Sequence, residues 1–193
     1  MNRTDIKNTS YNYDVVIIGG GASGLMTALV ASQAGKTVCI IEKNRELGKK
    51  LSITGGGRCN ITNAEFDIKK MLANYGTSAD FLYSAFSIFS HKDTFDFFNN
   101  QGLRLSIQEH NRVFPISEKA TDVTNFFRER LQNKLVTIKT GCTVQKILNS
   151  GDHITGIEII NSQKDREIVT ARSYVLATGG MSHPETGSTG DGF

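Results

Sequence analysis

Four glycines and one acid carry the first legible chemistry in this chain. Gly19, Gly21 and Gly24 form G-x-G-x-x-G within VVIIGGGASGLMTALVASQAGKTVCIIEK, residues 15–43, and Gly20 fills the first gap. This spacing suits a diphosphate. Gly19 permits a tight turn after an apolar strand, Gly21 lets a phosphate approach bare backbone, and Gly24 lets a helix lie close to a sheet. Ala22 and Ser23 fall at the head of that helix, where unpaired N–H groups and the positive dipole end face an anion. Glu42 ends the next apolar run. An acid about 20 residues beyond the glycines accepts hydrogen bonds from the hydroxyls of an adenosine ribose. The same charge disfavours a 2′-phosphate, which argues against NADP at this site.

A second polar cluster follows in GKKLSITGGGRCNITN, residues 48–63. Its glycines again bring backbone near a ligand, Arg58 offers a bidentate fork to phosphate, and Asn60, Thr62 and Asn63 add short polar groups. A third lies where the late apolar stretch 174–178 runs through Thr178 into Gly179 and Gly180. In two-part flavoprotein folds such a strand returns beside the first one, near the same pyrophosphate. The residues name no catalytic acid or base. His183 reads as a loop residue, and His91, His110 and His153 as surface positions. Asp191 reads as a helix cap. Cys39, Cys59 and Cys142 form no C-x-x-C pair, which suits reduced thiols in a cytoplasm rather than a disulfide framework or zinc site. Cys59 reads as a small packed thiol.

The elements that position these residues follow from apolar periodicity. Residues 13–18 read as a buried strand. Residues 22–34 read as a helix with Leu25, Ala28, Leu29 and Ser32 on one face, and Gly35 as its left-handed cap. Residues 37–42 are apolar at every position from 38 to 41, as a parallel strand covered on both faces requires. A helical insertion is expected over about 65–100; its phenylalanines, Phe81, Phe86, Phe89, Phe95, Phe97 and Phe98, read as core. Strands near 103–107 and 112–114 lead to a helix near 119–132. Residues 135–139, 142–148, 154–160 and 166–172 read as a β-meander, and the backbone of 143–147 is placed to border an adenine. The expected fold is α/β and Rossmann-like, with a parallel central sheet, running over 13–193 behind a loose polar tail, 1–12.

Composition narrows the class. The 193 residues are 38% hydrophobic and 21% charged, a globular balance. The net charge of +3 is small and dispersed, which argues against a nucleic-acid partner. No apolar run reaches the roughly 20 residues that cross a bilayer. The expected substrate is a small molecule.

The stretches DVVIIGGGASGLMTA, GKKLSITGGGRCNITN, RVFPISEKATDV and YVLATGGMSHPETGSTGDGF resemble BaiN/YhiN-like flavoproteins, the NAD(P)/FAD-dependent oxidoreductases of the aminoacetone oxidase family. The resemblance implies a glutathione-reductase-type domain binding FAD. It implies that Gly19, Gly21, Ala22, Ser23 and Gly24 hold the pyrophosphate, Glu42 the ribose, and the backbone of Val144 the adenine. Lys43, Lys49, Lys50, Arg58, Cys59 and Asn60 would approach the cofactor from neighbouring loops. NAD(P)H is the candidate electron donor, although no second G-x-G-x-x-G follows a strand. Such flavoproteins are about twice this length, so the chain reads as an N-terminal portion whose partner is the missing C-terminal half. Two other readings stay open: a fumarate-reductase or aspartate-oxidase-like flavoprotein, against which the GGGRCN loop argues, and a non-catalytic nucleotide-binding fragment.

Overall fold

A computed structural model describes residues 11–181, 184–186 and 190. The chain opens with β1 (Tyr13–Ile18), α1 (Ala22–Gln33) and β2 (Val38–Glu42). A helical turn α2 (Thr54–Gly57), β3 (Thr62–Asn63), α3 (Ile68–Ala73), α4 (Ala79–Ile88) and α5 (His91–Asn100) follow. Then come β4 (Leu105–Gln108), β5 (Arg112–Pro115), α6 (Ala120–Leu131) and β6 (Val136–Thr140). The last strands are β7 (Thr143–Ser150), β8 (His153–Ile160), β9 (Arg166–Val169) and β10 (Ala171–Leu176). These elements form two compact units, Met1–Lys50 with Phe127–Phe193, and Leu51–Phe126.

The first unit is built on a parallel sheet in the order β10-β1-β2-β6. All five residues of β2 are buried, as their unbroken apolar run requires of a strand covered on both faces. On one face lies α1, which buries Gly24, Leu25, Ala28, Leu29 and Ser32. Gly35, at φ 75°, closes the helix. The N–H groups of Gly35 and Lys36 donate to Ser32 O and Ala31 O, which makes the end a Schellman motif. On the other face Val16, Ile18, Cys39 and Ile41 pack with Cys142, Ile157, Ile159 and Val169 of the β7-β8-β9 meander.

Two strand expectations are corrected here. Residues 136–140 do not open the meander; β6 pairs in parallel with β2, from Val38–Val136 to Glu42–Thr140. Residues 166–172 are not one strand. The chain leaves the meander after Val169 and enters the parallel sheet at Ala171. Thr170 makes the switch: its backbone and hydroxyl bond to Asn12, and its carbonyl accepts from Tyr13 N–H.

The second unit holds a small antiparallel sheet, β3-β5-β4, with α3, α4 and α5. Helix α5 starts in a capping box. Ser90 accepts from Asp93 N–H, and Asp93 accepts from Ser90 N–H. The phenylalanines are not uniformly core: α4 buries no residue, Phe81 is 86% exposed and Phe89 is 44% exposed. Phe98 alone of the six is fully buried, against Phe126 at 5.1 Å between ring centres. No described helix is long and apolar enough to cross a membrane.

Candidate functional site

Three strand ends converge at the glycine turn of the first unit. Gly19 N–H donates to Ile41 O of β2, and Ala177 N–H donates to Ile18 O of β1, both at 2.8 Å. Gly19 sits at φ 108°, a conformation side chains disfavour. A methyl group on Gly19 would collide with Ala177 O, one on Gly20 with Leu47, and one on Gly24 with Gly19 O. Gly21 differs: apart from its immediate chain neighbours and its own helix, nothing lies within 4 Å of where its side chain would begin. Three glycines thus satisfy the packing of the protein itself, and the fourth faces open space. Gly21 is also the N-cap of α1 and offers no side-chain cap, so the first-turn N–H groups of Ala22, Ser23 and Gly24 have no intrahelical acceptor. Ala22 and Ser23 are exposed. An uncapped helix head beside open space has the shape and charge that suit a diphosphate.

Glu42 lies beside it, at the tip of β2 and 7% exposed. Its Oε2 accepts from Gly20 N–H at 2.7 Å; its Oε1 accepts from Asn44 N–H at 2.8 Å and Asn44 Nδ2 at 2.6 Å. Sequence reasoning missed Gly20 and Asn44 as its partners. Both belong to one clasp, in which Gly48 N–H donates to Gly20 O and Gly141 N–H donates to Asn44 O. Lys43, Lys49 and Lys50 are exposed on the segment between β2 and the end of this part of the unit. Beyond β10, Thr178 is half-buried, while Gly179 and Gly180 are exposed, with open space where side chains would start. Val144 pairs with Ile159 and precedes a break in strand register before Lys146.

The GGGRCN loop lies in the second unit. Gly55, Gly56, Gly57 and Cys59 all have positive φ. Arg58 is engaged with protein: its guanidinium lies 4.4 Å from the Phe114 ring centre, and it donates to Gly55 O at 3.3 Å and Gln108 Oε1 at 3.2 Å. Asn60 Oδ1 accepts from Val113 N–H at 3.3 Å. Cys59 is 2% exposed, and burial pushes its thiol up, as it pushes Cys39 up to about 11. All three cysteines are free and buried. The native protein is therefore expected to react with less than one equivalent of a disulfide reagent at pH 8, and with three after denaturation. Rapid labelling of Cys59 in the folded state would mark it as a reactive thiol instead.

His91 corrects the expectation of a surface position. It is 3% exposed and lines a cavity of about 380 Å³ within the second unit. The only sequence signal was Ser90-x-x-Asp93, which places His91 at the first position of α5. His110 and His153 are exposed as expected. His183 and Asp191 lie outside the described residues. Among the described residues no group of three or more His, Cys, Asp or Glu is placed to hold a metal ion.

A parallel sheet, a glycine turn opening on a helix head, and an acid at the tip of the second strand define a dinucleotide-binding domain of the Rossmann-like flavoprotein class. Residues 13–193 match the HI0933-like protein Rossmann domain, and the chain belongs to that family. It is 32% identical over 179 residues to the 3-dehydro-bile acid delta(4,6)-reductase of Clostridium scindens, covering 92% of this chain and 41% of that protein. It is 28% identical to the ribosomal RNA dihydrouridine synthase of Escherichia coli, covering 94% and 43%. The fold is shared with the quinol fumarate reductase FrdA of E. coli, with a TM-score of 0.68, 19% identity, and 89% of this chain and 33% of that chain covered. The chain spans about two fifths of the length of the two curated relatives.

Proposed function

We propose that this chain is the FAD-holding part of a flavin-dependent oxidoreductase. The observation that carries the proposal is the open space at Gly21 beside uncapped helix amides, with Glu42 at the adjacent strand tip. The amides of Ala22, Ser23 and Gly24 donate to the pyrophosphate, and Gly179 and Gly180 leave room on the β10 side. Glu42 receives a ribose hydroxyl. Its carboxylate has about four acceptor positions, of which three are engaged, so taking both hydroxyls requires Asn44 Nδ2 to turn away. Val144 borders the adenine through its backbone. Lys43, Lys50, Arg58, Cys59 and Asn60 are assigned to the cofactor's surroundings on the family resemblance alone. Bound FAD would supply the hydride-accepting and hydride-donating ring.

The names of the two curated relatives share one kind of chemistry, saturation of a carbon–carbon double bond conjugated to a carbonyl. We assign that reaction class here, with NAD(P)H as electron donor, a small molecule as substrate and the cytoplasm as location.

One experiment tests it in two stages. FAD titrated into the protein is expected to bind saturably, and Glu42→Gln to weaken binding about tenfold or more, since a hydrogen bond to a charged group contributes about 1.5–3 kcal/mol. The glutamine keeps an acceptor for either Gly20 N–H or Asn44 N–H, and only local hydrogen bonding at the strand tip changes, so circular dichroism should be unchanged. The loaded protein, reduced anaerobically, is then mixed with 2-cyclohexenone and should reoxidise. Equal FAD affinity in the variant rejects the ribose assignment, and a flavin left reduced rejects the reaction class.

A further inference from the structure

We propose that the cavity of the second unit is a binding site for an uncharged ring compound bearing a carbonyl or carboxamide group, held at that group by His91. The proposal rests on Leu51–Phe126 alone, and its test is run without FAD.

The imidazole is 3% exposed, and neither Nδ1 nor Nε2 has a hydrogen-bond partner. A neutral imidazole presents one donor and one acceptor. Burying both unmet is a standing cost that a purely structural histidine avoids. The neighbouring hydroxyls are committed elsewhere. Ser90 Oγ donates to Asp93 Oδ2 at 2.6 Å, Thr94 Oγ1 donates to Ser90 O at 3.0 Å, and Thr62 Oγ1 donates to His91 O at 3.4 Å. The ring is instead held by apolar packing. Phe66 stacks on it at 6.1 Å and 14°, and Phe86 lies at 5.9 Å and 51°. The nitrogens carry no hydrogen bond that a ligand must break, and since neither has surface open to water, a ligand reaches them by displacing the packing around the ring.

The cavity states the ligand's chemistry. Its volume of about 380 Å³ fits a small organic molecule. Tyr75, Phe86 and Phe89 give it flat aromatic walls, and Asn60 and Thr62 give it a polar edge. Asn60 uses Oδ1 on Val113 N–H, which leaves its amide N–H groups to meet a carbonyl oxygen. No lining residue is Asp, Glu, Lys or Arg, so an ion would enter without a fixed countercharge.

The test uses the full chain labelled with nitrogen-15 at histidine, without FAD, and three probes that share one ring. Benzamide carries the carboxamide, benzoate replaces it with a charge, and toluene lacks any polar group. Benzamide is expected to shift the His91 nitrogens saturably. Benzoate should bind at least tenfold more weakly, and toluene should leave those nitrogens unmoved. His91→Phe keeps an aromatic ring and should weaken benzamide at least tenfold. If that variant does not fold, the three probes on the unaltered chain decide alone. Absence of a saturable shift with benzamide, equal binding of benzoate, or undiminished benzamide affinity in folded His91→Phe would overturn the proposal.

Discussion

Gly24→Ala is expected to destabilise the first unit by about 3 kcal/mol, the upper range for forcing a methyl group into packed backbone. Gly24 lies in the first turn of α1, where alanine normally stabilises a helix by up to about 1 kcal/mol. The expected sign is the reverse because the new methyl would meet Gly19 O, a backbone atom, with Ile17 Cγ2 at 3.3 Å behind it. Gly19 cannot retreat easily. Its N–H is bonded to Ile41 O, and its own α-carbon faces Ala177 O. Relief would require α1 to lift from the sheet and take Leu25, Ala28 and Leu29 with it, all of them at most 1% exposed. Thermal unfolding followed by circular dichroism measures the effect. A chain of this size should lose about 2–4 °C for each kcal/mol at the midpoint. An unchanged or raised midpoint would show that the helix does not press on the turn.

The same packing explains what was legible in the sequence. A parallel strand covered on both faces is apolar throughout, so residues 38–41 announced β2, and the small residues of α1 announced its close approach. From sequence alone, strand β6 reads as part of the meander for an equally physical reason. It is an edge strand whose Ile138 is 37% exposed, and it alternates as an antiparallel strand does. Period two reports partial burial, and it does not report which sheet a strand joins. The break at Thr170 was hidden because its cause, Asn12, lies at the other end of the chain. His91 was hidden likewise: its burial comes from Phe66 and Phe86, not from the polar residues beside it. Within the candidate site, glycine spacing located the turn at the head of α1. It did not show that Gly20 N–H and Asn44 hold Glu42 in place, since those bonds depend on the fold of segment 43–48.

Gly21→Val is expected to reduce FAD affinity about a hundredfold or more while leaving the fold intact. The two effects separate because of geometry. Gly21 has φ −83°, which valine adopts without strain, and its side chain would begin in open space. The protein therefore loses only the mild preference against valine at an N-cap, about 1 kcal/mol. A diphosphate loses the ground it must occupy to reach the helix amides. A hundredfold loss corresponds to about 2.8 kcal/mol, less than two charge-assisted hydrogen bonds at the upper end of their range. Gly21→Ser sharpens the test. A serine at this position offers its hydroxyl oxygen to the N–H groups two or three residues on, the same donors a phosphate would use. Thermal stability should then hold or rise by a few tenths of a kcal/mol while FAD binding weakens about tenfold. Opposite signs in one variant cannot come from general damage to the fold. Flavin fluorescence titration alongside thermal unfolding reads both quantities, and a serine variant that gains stability yet binds FAD undiminished would place the pyrophosphate away from the head of α1.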